Sequence, residues 1–166
     1  MKKFFALFLI AAAALSLASC GGLEEEFLDN SFVYLAVGTQ EGHGVVIKDD
    51  GAEIRDEGVN PDVNFVLFVT LNPTKRDLPE FEVYYDAIPD GLKEGVDYSI
   101  KTESKSPLKF VPGNYGVPIR ITWIHNTGNK GTLTIKLKGS NLSYLQMGYP
   151  GLSASTNKST FVFTKK

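Results

Sequence analysis

The sequence predicts an all-β domain with the architecture of an antiparallel β-sandwich of about seven to nine short strands. Apolar residues recur with a period of two in several segments. Turn-forming pairs, among them Asp50-Gly51, Asn72-Pro73 and Pro112-Gly113, separate those segments. The sequence after residue 20 contains no helical period of useful length. Short alternating segments between regular turns are typical of sandwiches and barrels rather than of helical proteins.

Three segments carry the clearest strand pattern, at residues 62–71, 80–86 and 132–138. In each of them one face should be buried and the other partly solvated, as in antiparallel sheets. The predicted inward residues are Val63, Phe65, Leu67, Val69, Leu71, Phe81, Val83, Tyr85, Leu133, Ile135 and Leu137. The opposite face of the first segment mixes polar residues with Val66 and Phe68.

Shorter strands complete the predicted sandwich. They are expected at residues 32–37, 44–48, 97–101, 108–111, 117–124 and 159–164. Pro118 has no backbone N–H to donate, so its strand should begin at a sheet edge or a bulge. Trp123 shares a face with apolar residues of the same segment, which places it in the predicted core.

The N-terminus has the three-part order of an export signal. Lys2 and Lys3 form a short positive region, residues 4–15 contain no polar side chain, and small residues lead into Cys20. This apolar run is shorter than the roughly 20 residues that cross a hydrocarbon core. Residues 1–19 are therefore predicted to be a cleaved signal peptide rather than a permanent membrane helix.

The residues Leu17-Ala18-Ser19-Cys20 resemble the lipobox of bacterial lipoproteins. The resemblance implies that the Cys20 thiol is lipidated and that the membrane is a partner through this anchor. The alternative is ordinary secretory cleavage with a free thiol. The acidic residues 24–26 are similar to the surface-export signal of Bacteroidota lipoproteins, which implies an outer-membrane protein exposed at the cell surface. A solvated tether on a periplasm-facing protein is the other interpretation.

Loss of Lys2 and Lys3 with the signal leaves 15 of the 17 basic residues against 19 acidic ones, a formal net charge of −4. This balance argues against nucleic acid as a partner, because that partner needs a clustered basic surface. Residues 20–30 are predicted to be a lipidated acidic tether. Residues 31–166 are predicted to be a single domain, since a chain of this length buries one real core.

Two motifs carry a second family resemblance. Residues 94–100, EGVDYSI, and residues 108–113, LKFVPG, are similar to the core motif of Calx-beta-like domains. The similarity covers roughly residues 54–138 and implies an immunoglobulin-like sandwich, but no reaction. From the residues themselves, Asp97 should accept backbone N–H bonds of its turn, and the Tyr98 ring should lie across the sheet edge.

Neither a metal site, nor a cofactor, nor catalysis is predicted. Calx-beta domains of exchangers bind calcium through acidic clusters, but residues 125–131, where the resemblance places such a cluster, contain no carboxylate. His43 and His125 lack the spacing of a paired ligand set. Nucleophile-elbow, zinc-protease and phosphate-loop motifs are absent from the sequence. The remaining loop acids are read as ordinary surface residues: Asp49, Asp50, Asp56, Glu57 and Asp62.

Binding is the remaining class of function. Residues 141–157 form a long predicted loop between the last two strands, and long ordered loops are often functional. Tyr144 and Tyr149 in this loop, together with Tyr115, are the candidate binding residues, because a tyrosine ring offers apolar area and a polar tip. The alternative is that these rings cap one end of the core.

Two functions therefore stay open for a non-catalytic envelope module. The first is a structural or protein-interaction role, in which the domain docks with another envelope protein or acts as an adhesin-like component. The second is carbohydrate binding at the cell surface through exposed tyrosines. A bare sheet edge that accepts a partner strand would favour the first, whereas an exposed aromatic platform would favour the second.

Overall fold

The computed structural model describes residues 31–41, 44–55, 62–72, 78–153 and 156–166. The predicted signal peptide, Cys20 and the acidic tether lie outside the described residues, as do His43, Asp56 and Glu57. The described chain forms eleven strands and one short 3-10 helix at Thr102–Ser104. The strands are β1 Phe32–Glu41, β2 Val45–Lys48, β3 Gly51–Ile54, β4 Val63–Leu71, β5 Phe81–Asp90, β6 Tyr98–Ile100, β7 Leu108–Phe110, β8 Gly116–Trp123, β9 Gly131–Ser140, β10 Gln146–Met147 and β11 Thr160–Lys165.

Two sheets pack together, which confirms the all-β sandwich. The five-stranded sheet has the order β10-β1-β4-β8-β6, and the six-stranded sheet has the order β2-β3-β11-β9-β5-β7. The seven strands that match an immunoglobulin-like domain can be lettered A to G in chain order: β1, β4, β5, β6, β8, β9 and β11. In these letters, the five-stranded sheet contains the order A-B-E-D and the six-stranded sheet the order G-F-C. This is the strand order of an immunoglobulin-like sandwich.

The core lies between the sheets and contains all the residues predicted to face inward on the three clearest strands. Because side chains alternate along a strand, the period of two in the sequence becomes the buried face of each sheet. Trp123 is fully buried, as predicted, and its ring lies 5.3 Å from that of Phe163 on the opposite sheet. Pro118 lies in the part of β8 that β6 does not cover, since β6 pairs only with Ile121–Trp123. This agrees with the predicted edge position.

The structure adds two strands that the sequence pattern did not reveal, and both pair in parallel. β3 runs beside β11, where Val162 is the partner of Gly51, and β10 runs beside β1. Gly51 approaches the Val162 carbonyl so closely that a Cβ atom would clash with it. The sheets are therefore mixed rather than wholly antiparallel. β3 begins at Gly51, which the sequence pattern assigned to a turn with Asp50, and the two residues of β10 are too few to show alternation.

One end of the sandwich is closed by a buried ion pair between Asp97 and Lys165. The two side chains are 1% and 0% exposed, and their charged atoms lie 3.8 Å apart. The Asp97 carboxylate accepts hydrogen bonds from the Lys93 backbone N–H, from the Thr127 hydroxyl and from the Asn129 amide, at 2.8, 2.6 and 3.0 Å. The predicted backbone bond to Asp97 is thus confirmed. Tyr98, which follows on edge strand β6, is buried with its ring 5.7 Å from Trp123.

These partners keep Asp97 ionised. Burial acts to raise the pKa of the carboxyl, but the hydrogen bonds from Thr127, Lys93 and Asn129, with the charge of Lys165, outweigh it and lower the pKa. The same ammonium group also donates to the Ile124 carbonyl at 2.8 Å. The β5–β6 connection, the β8–β9 loop and β11 are consequently held by one charged network.

A second charge cluster lies at the other side of the six-stranded sheet around Glu53 on β3. This buried carboxylate forms ion pairs with Lys48, Arg55 and Lys166 at 3.4, 2.8 and 2.9 Å. Hydrogen bonding from Lys166, followed by that from Arg55, lowers the pKa of Glu53 from 4.5 to about 2, against the opposing effect of burial. The cluster joins the β2–β3 hairpin to the C-terminal strand.

Breaking the buried pair should destabilise the protein far more than breaking an exposed one. Asp97→Asn leaves the Lys165 ammonium buried without its counter-charge, and we expect a loss of about 3–5 kcal/mol in the free energy of unfolding. The matched control is Asp86→Asn, which breaks the half-exposed Lys138–Asp86 pair and should cost less than about 1 kcal/mol. Urea unfolding measures both. The double variant Asp97→Asn/Lys165→Met should be more stable than Asp97→Asn alone, and equal losses in the two single variants would contradict this account.

Stability should also fall in acid because of Glu53. A carboxyl whose pKa is lower in the folded state stabilises the fold above its unfolded pKa and ceases to do so as the pH falls through the folded value. The free energy of unfolding should therefore decrease from about pH 4.5 down to about pH 2. In Glu53→Gln this decrease should be smaller, whereas exposed Glu103→Gln on the 3-10 helix should leave the profile unchanged. Urea titrations across that range provide the measurement.

Candidate binding face on the five-stranded sheet

The two sheets present different chemistry on their outer faces. On the six-stranded sheet, Glu82, Asp86, Lys136 and Lys138 point outward, and Lys138 pairs with Asp86 at 3.3 Å. The Tyr84 hydroxyl on this face donates to Glu82 at 2.9 Å. Charged side chains in such an arrangement are well solvated, so this face needs no partner.

The outer face of the five-stranded sheet is mainly apolar. Phe68 on β4 has Ala36 of β1 on one side and Pro118 of β8 on the other in the strand register. Its half-buried ring covers Gly38, since a Cβ atom there would lie 2.6 Å from a ring carbon. The face comprises Phe32, Tyr34, Ala36, Val66, Phe68 and Pro118, with the polar residues Asn64, Thr70, Arg120 and Thr122. It is the less hydrated of the two outer faces.

A bulge in β1 shapes one end of this face. Val37 is the partner of Leu67 and Gln40 that of Phe65, so two residues, Gly38 and Thr39, lie opposite Val66 alone. A bulge of this type bends the strand and changes the direction of its side chains. Thr39 is thereby brought to the wall of a groove. The missing Cβ of Gly38 allows the close approach of the Phe68 ring.

The groove has a volume of about 310 Å³ and runs across β4 and β8. Its lining residues are Thr39, Asn64, Phe65, Val66, Lys101, Arg120, Ile121 and Thr122. The Thr122 hydroxyl donates to the Asn64 amide oxygen at 2.9 Å, which orients both groups at the surface. The lining therefore combines hydrogen-bonding groups, the half-buried apolar side chain of Val66 and two cations.

A buried serine fixes the strand segment that carries Arg120. The Ser104 hydroxyl accepts a hydrogen bond from the Arg120 backbone N–H at 3.0 Å and donates to the Pro118 carbonyl at 3.1 Å. The 3-10 helix thus takes the place of a neighbouring strand where β6 has ended. Lys101, which directly follows β6, donates its backbone N–H to the Arg120 carbonyl at 3.0 Å. The two cationic residues consequently lie side by side on the sheet.

An aromatic cluster lies at the opposite end of the same face. The Tyr149 ring lies 5.2 Å from Phe32 and 4.8 Å from Tyr34. The Gly148 backbone N–H donates to the Val33 carbonyl at 2.6 Å and attaches this loop to β1. Within the loop, the Tyr149 backbone N–H donates to the Asn157 carbonyl, also at 2.6 Å. Burial, followed by the charge and hydrogen bond of Tyr34, raises the pKa of the Tyr149 hydroxyl. The loop residue is therefore part of the sheet surface.

The structure brings only one of the three predicted binding tyrosines into this face. Tyr149 joins the cluster and remains 37% exposed, whereas Tyr115 and Tyr144 are each 53% exposed and contact no other ring within the described residues. Phe68 and Arg120 were not predicted from the sequence to be binding residues. The sequence did contain one indication that the outer face near Phe68 is covered. β4 carries apolar residues on both of its faces, as a strand does when both faces are covered.

Of the loop acids and histidines, the structure describes Asp49, Asp50, Asp62 and His125. Within the described ranges, no group of three or more His, Cys, Asp or Glu side chains is placed to hold a metal ion. His125 is buried, and its backbone N–H donates to Asp62 at 3.3 Å. The Asp97 carboxylate is occupied by its protein partners. None of the described residues belongs to a helix long and apolar enough to span a membrane.

No protein-family model matches the chain, and no curated protein sequence matches it.

Proposed function

We propose that this protein is a non-catalytic carbohydrate-binding module, anchored in the bacterial outer membrane through lipidated Cys20 and exposed at the cell surface. The observation that carries the proposal is the outer face of the five-stranded sheet, where an aromatic cluster, the Phe68 ring and a polar groove lie along one strand direction. The anchor is supported by the signal and lipobox pattern of residues 1–20 and by the acidic residues 24–26.

Sugars suit such a surface because a pyranose ring has apolar C–H faces and a rim of hydroxyl groups. Aromatic rings contact the first, and the side chains of Asn64, Thr122 and Thr39 offer hydrogen bonds to the second. From Asn64 to Thr70 the face extends for about 20 Å along β4, from the spacing of strand residues. That length suits a short stretch of a glycan chain rather than a single sugar.

Alanine at the aromatic positions should weaken glycan binding. We expect Tyr149→Ala and Phe68→Ala each to reduce affinity for the bound glycan class by about tenfold, because each removes a ring contact. The matched control is Tyr84→Ala on the outer face of the six-stranded sheet, where the side chain is 38% exposed against 37% for Tyr149.

A glycan array followed by calorimetry, with Tyr115→Ala and Tyr144→Ala in parallel, measures these effects. Loss of binding in Tyr84→Ala alone, or a folded protein that binds no glycan on the array, would contradict carbohydrate binding at this face.

A second candidate function, docking with an envelope protein or an adhesin-like role, is favoured by edge strand β2. In the described chain β2 has a strand neighbour only on one side, and Val46 and Ile47 are exposed. The Arg55 backbone N–H donates to the Gly44 carbonyl, so by antiparallel alternation Val46 bonds to β3 and Ile47 directs its N–H outward. Such an edge offers hydrogen bonds to an added strand.

Proline substitutions at two adjacent positions of β2 test its open edge and its edge paired with β3 independently. Ile47→Pro removes the outward N–H and should abolish pairing with a partner strand while leaving stability within about 1 kcal/mol. Val46→Pro removes an N–H that bonds to β3 and should destabilise the hairpin instead. Crosslinking from a photoreactive residue at position 45 in intact cells, with and without Ile47→Pro, tests the edge. Unchanged crosslinked products in Ile47→Pro would rule out strand addition.

A further inference from the structure

We infer that the ligand of the groove is an acidic polysaccharide whose sugars carry carboxylate groups, a polyuronate. This inference rests on the proposed carbohydrate-binding function and names the class of glycan. Its basis is the pair of cations, Lys101 and Arg120, in a groove whose lining, among the described residues, includes no carboxylate.

The two cations lie directly beside each other. Ile100 pairs with Ile121, so Lys101 and Arg120 occupy the next cross-strand position, where Cβ atoms are about 5 Å apart. Neither side chain forms an ion pair with any of the residues that the structure describes. Like charges directly opposite each other destabilise a strand pair. A bound anion would remove that repulsion.

Several other exposed lysines of the described chain form ion pairs. Lys48 and Lys166 contact Glu53, Lys105 contacts Glu94, and Lys138 contacts Asp86. The whole chain has a formal net charge of −2. Lys93, Lys109, Lys130 and Lys136 are exposed and form no ion pair with a described residue. The groove is therefore distinguished by the position of Lys101 directly opposite a second cation, Arg120, and not by an unpaired lysine alone.

The neighbouring groups indicate a sugar carboxylate rather than a bare anion or a nucleic acid. Arg120 presents a planar fork that matches a carboxylate with two parallel hydrogen bonds. Asn64 and Thr122 lie in the same groove for ring hydroxyls, and Val66 with adjacent Phe68 offers apolar contact. Two cations are too few for the basic stripe that a nucleic acid needs.

Calorimetry on the full-length protein, expressed with its own leader and purified in detergent, tests the inference. The probes are oligomers of galacturonate, glucuronate, mannuronate and guluronate, each beside its methyl ester, which keeps the chain and removes the charge. We expect at least one oligouronate to bind about tenfold more tightly than its ester. Binding should weaken as the salt concentration rises.

Charge-removing variants locate the effect. Arg120→Gln and Lys101→Gln, both at exposed positions, should each reduce oligouronate affinity by about tenfold. Lys136→Gln removes an equal charge from the opposite outer face and should leave affinity unchanged.

Equal binding of acid and ester, with loss in Tyr149→Ala, would overturn the polyuronate while keeping the carbohydrate function. A preference for sulfated glycans over every oligouronate would overturn the carboxylate assignment. Failure to bind any acidic or neutral glycan would overturn the proposed function itself.

Discussion

The buried carboxylate of Asp97 is the interaction on which the arrangement of the two sheets depends. It lies in the turn before β6, the edge of the five-stranded sheet, while its ammonium partner Lys165 belongs to β11 of the six-stranded sheet. Hydrogen bonds from Thr127 and Asn129 add the β8–β9 loop to the same group. A charge in this position is tolerated only with all of its partners, because an uncompensated buried ion costs several kcal/mol. The network therefore selects one relative position of the sheets.

Consecutive strands alternate between the sheets along most of the chain, so each apolar strand face is buried only when the other sheet is in place. The outer faces do not need the other sheet to cover them, and the chemical character of the two outer faces differs. The six-stranded sheet exposes paired charges. On the five-stranded sheet, the loop around Tyr149 covers Phe32 and Tyr34, and the face continues uncovered by described residues through Phe68 to the groove. An apolar face with adjacent polar groups is the usual chemistry of a binding surface.

The groove is built on strands and backbone hydrogen bonds rather than on loop tips. The β1 bulge sets the position of Thr39, Asn64 and Thr122 orient each other, and Ser104 fixes the backbone of Arg120. Groups held in this way lose little conformational freedom when a ligand binds, which favours affinity. The cationic pair then gives a physical basis for selecting among glycans, since charge discriminates more sharply than ring stacking, which is available to any sugar.

The sequence by itself determined the fold class, the core and the nature of each long strand, because a period of two reports burial on one sheet face wherever a strand has at least five or six residues. It also placed Trp123 in the core and Asp97 in a capped turn. The parallel pairings of β3 and β10 were decided only by tertiary structure, since their partners, such as Val162 for Gly51, are distant in sequence. The same holds for the candidate site. Lys101 and Arg120 look like ordinary surface residues until strand register makes them neighbours, and Tyr149 becomes part of a face only when its loop packs on β1.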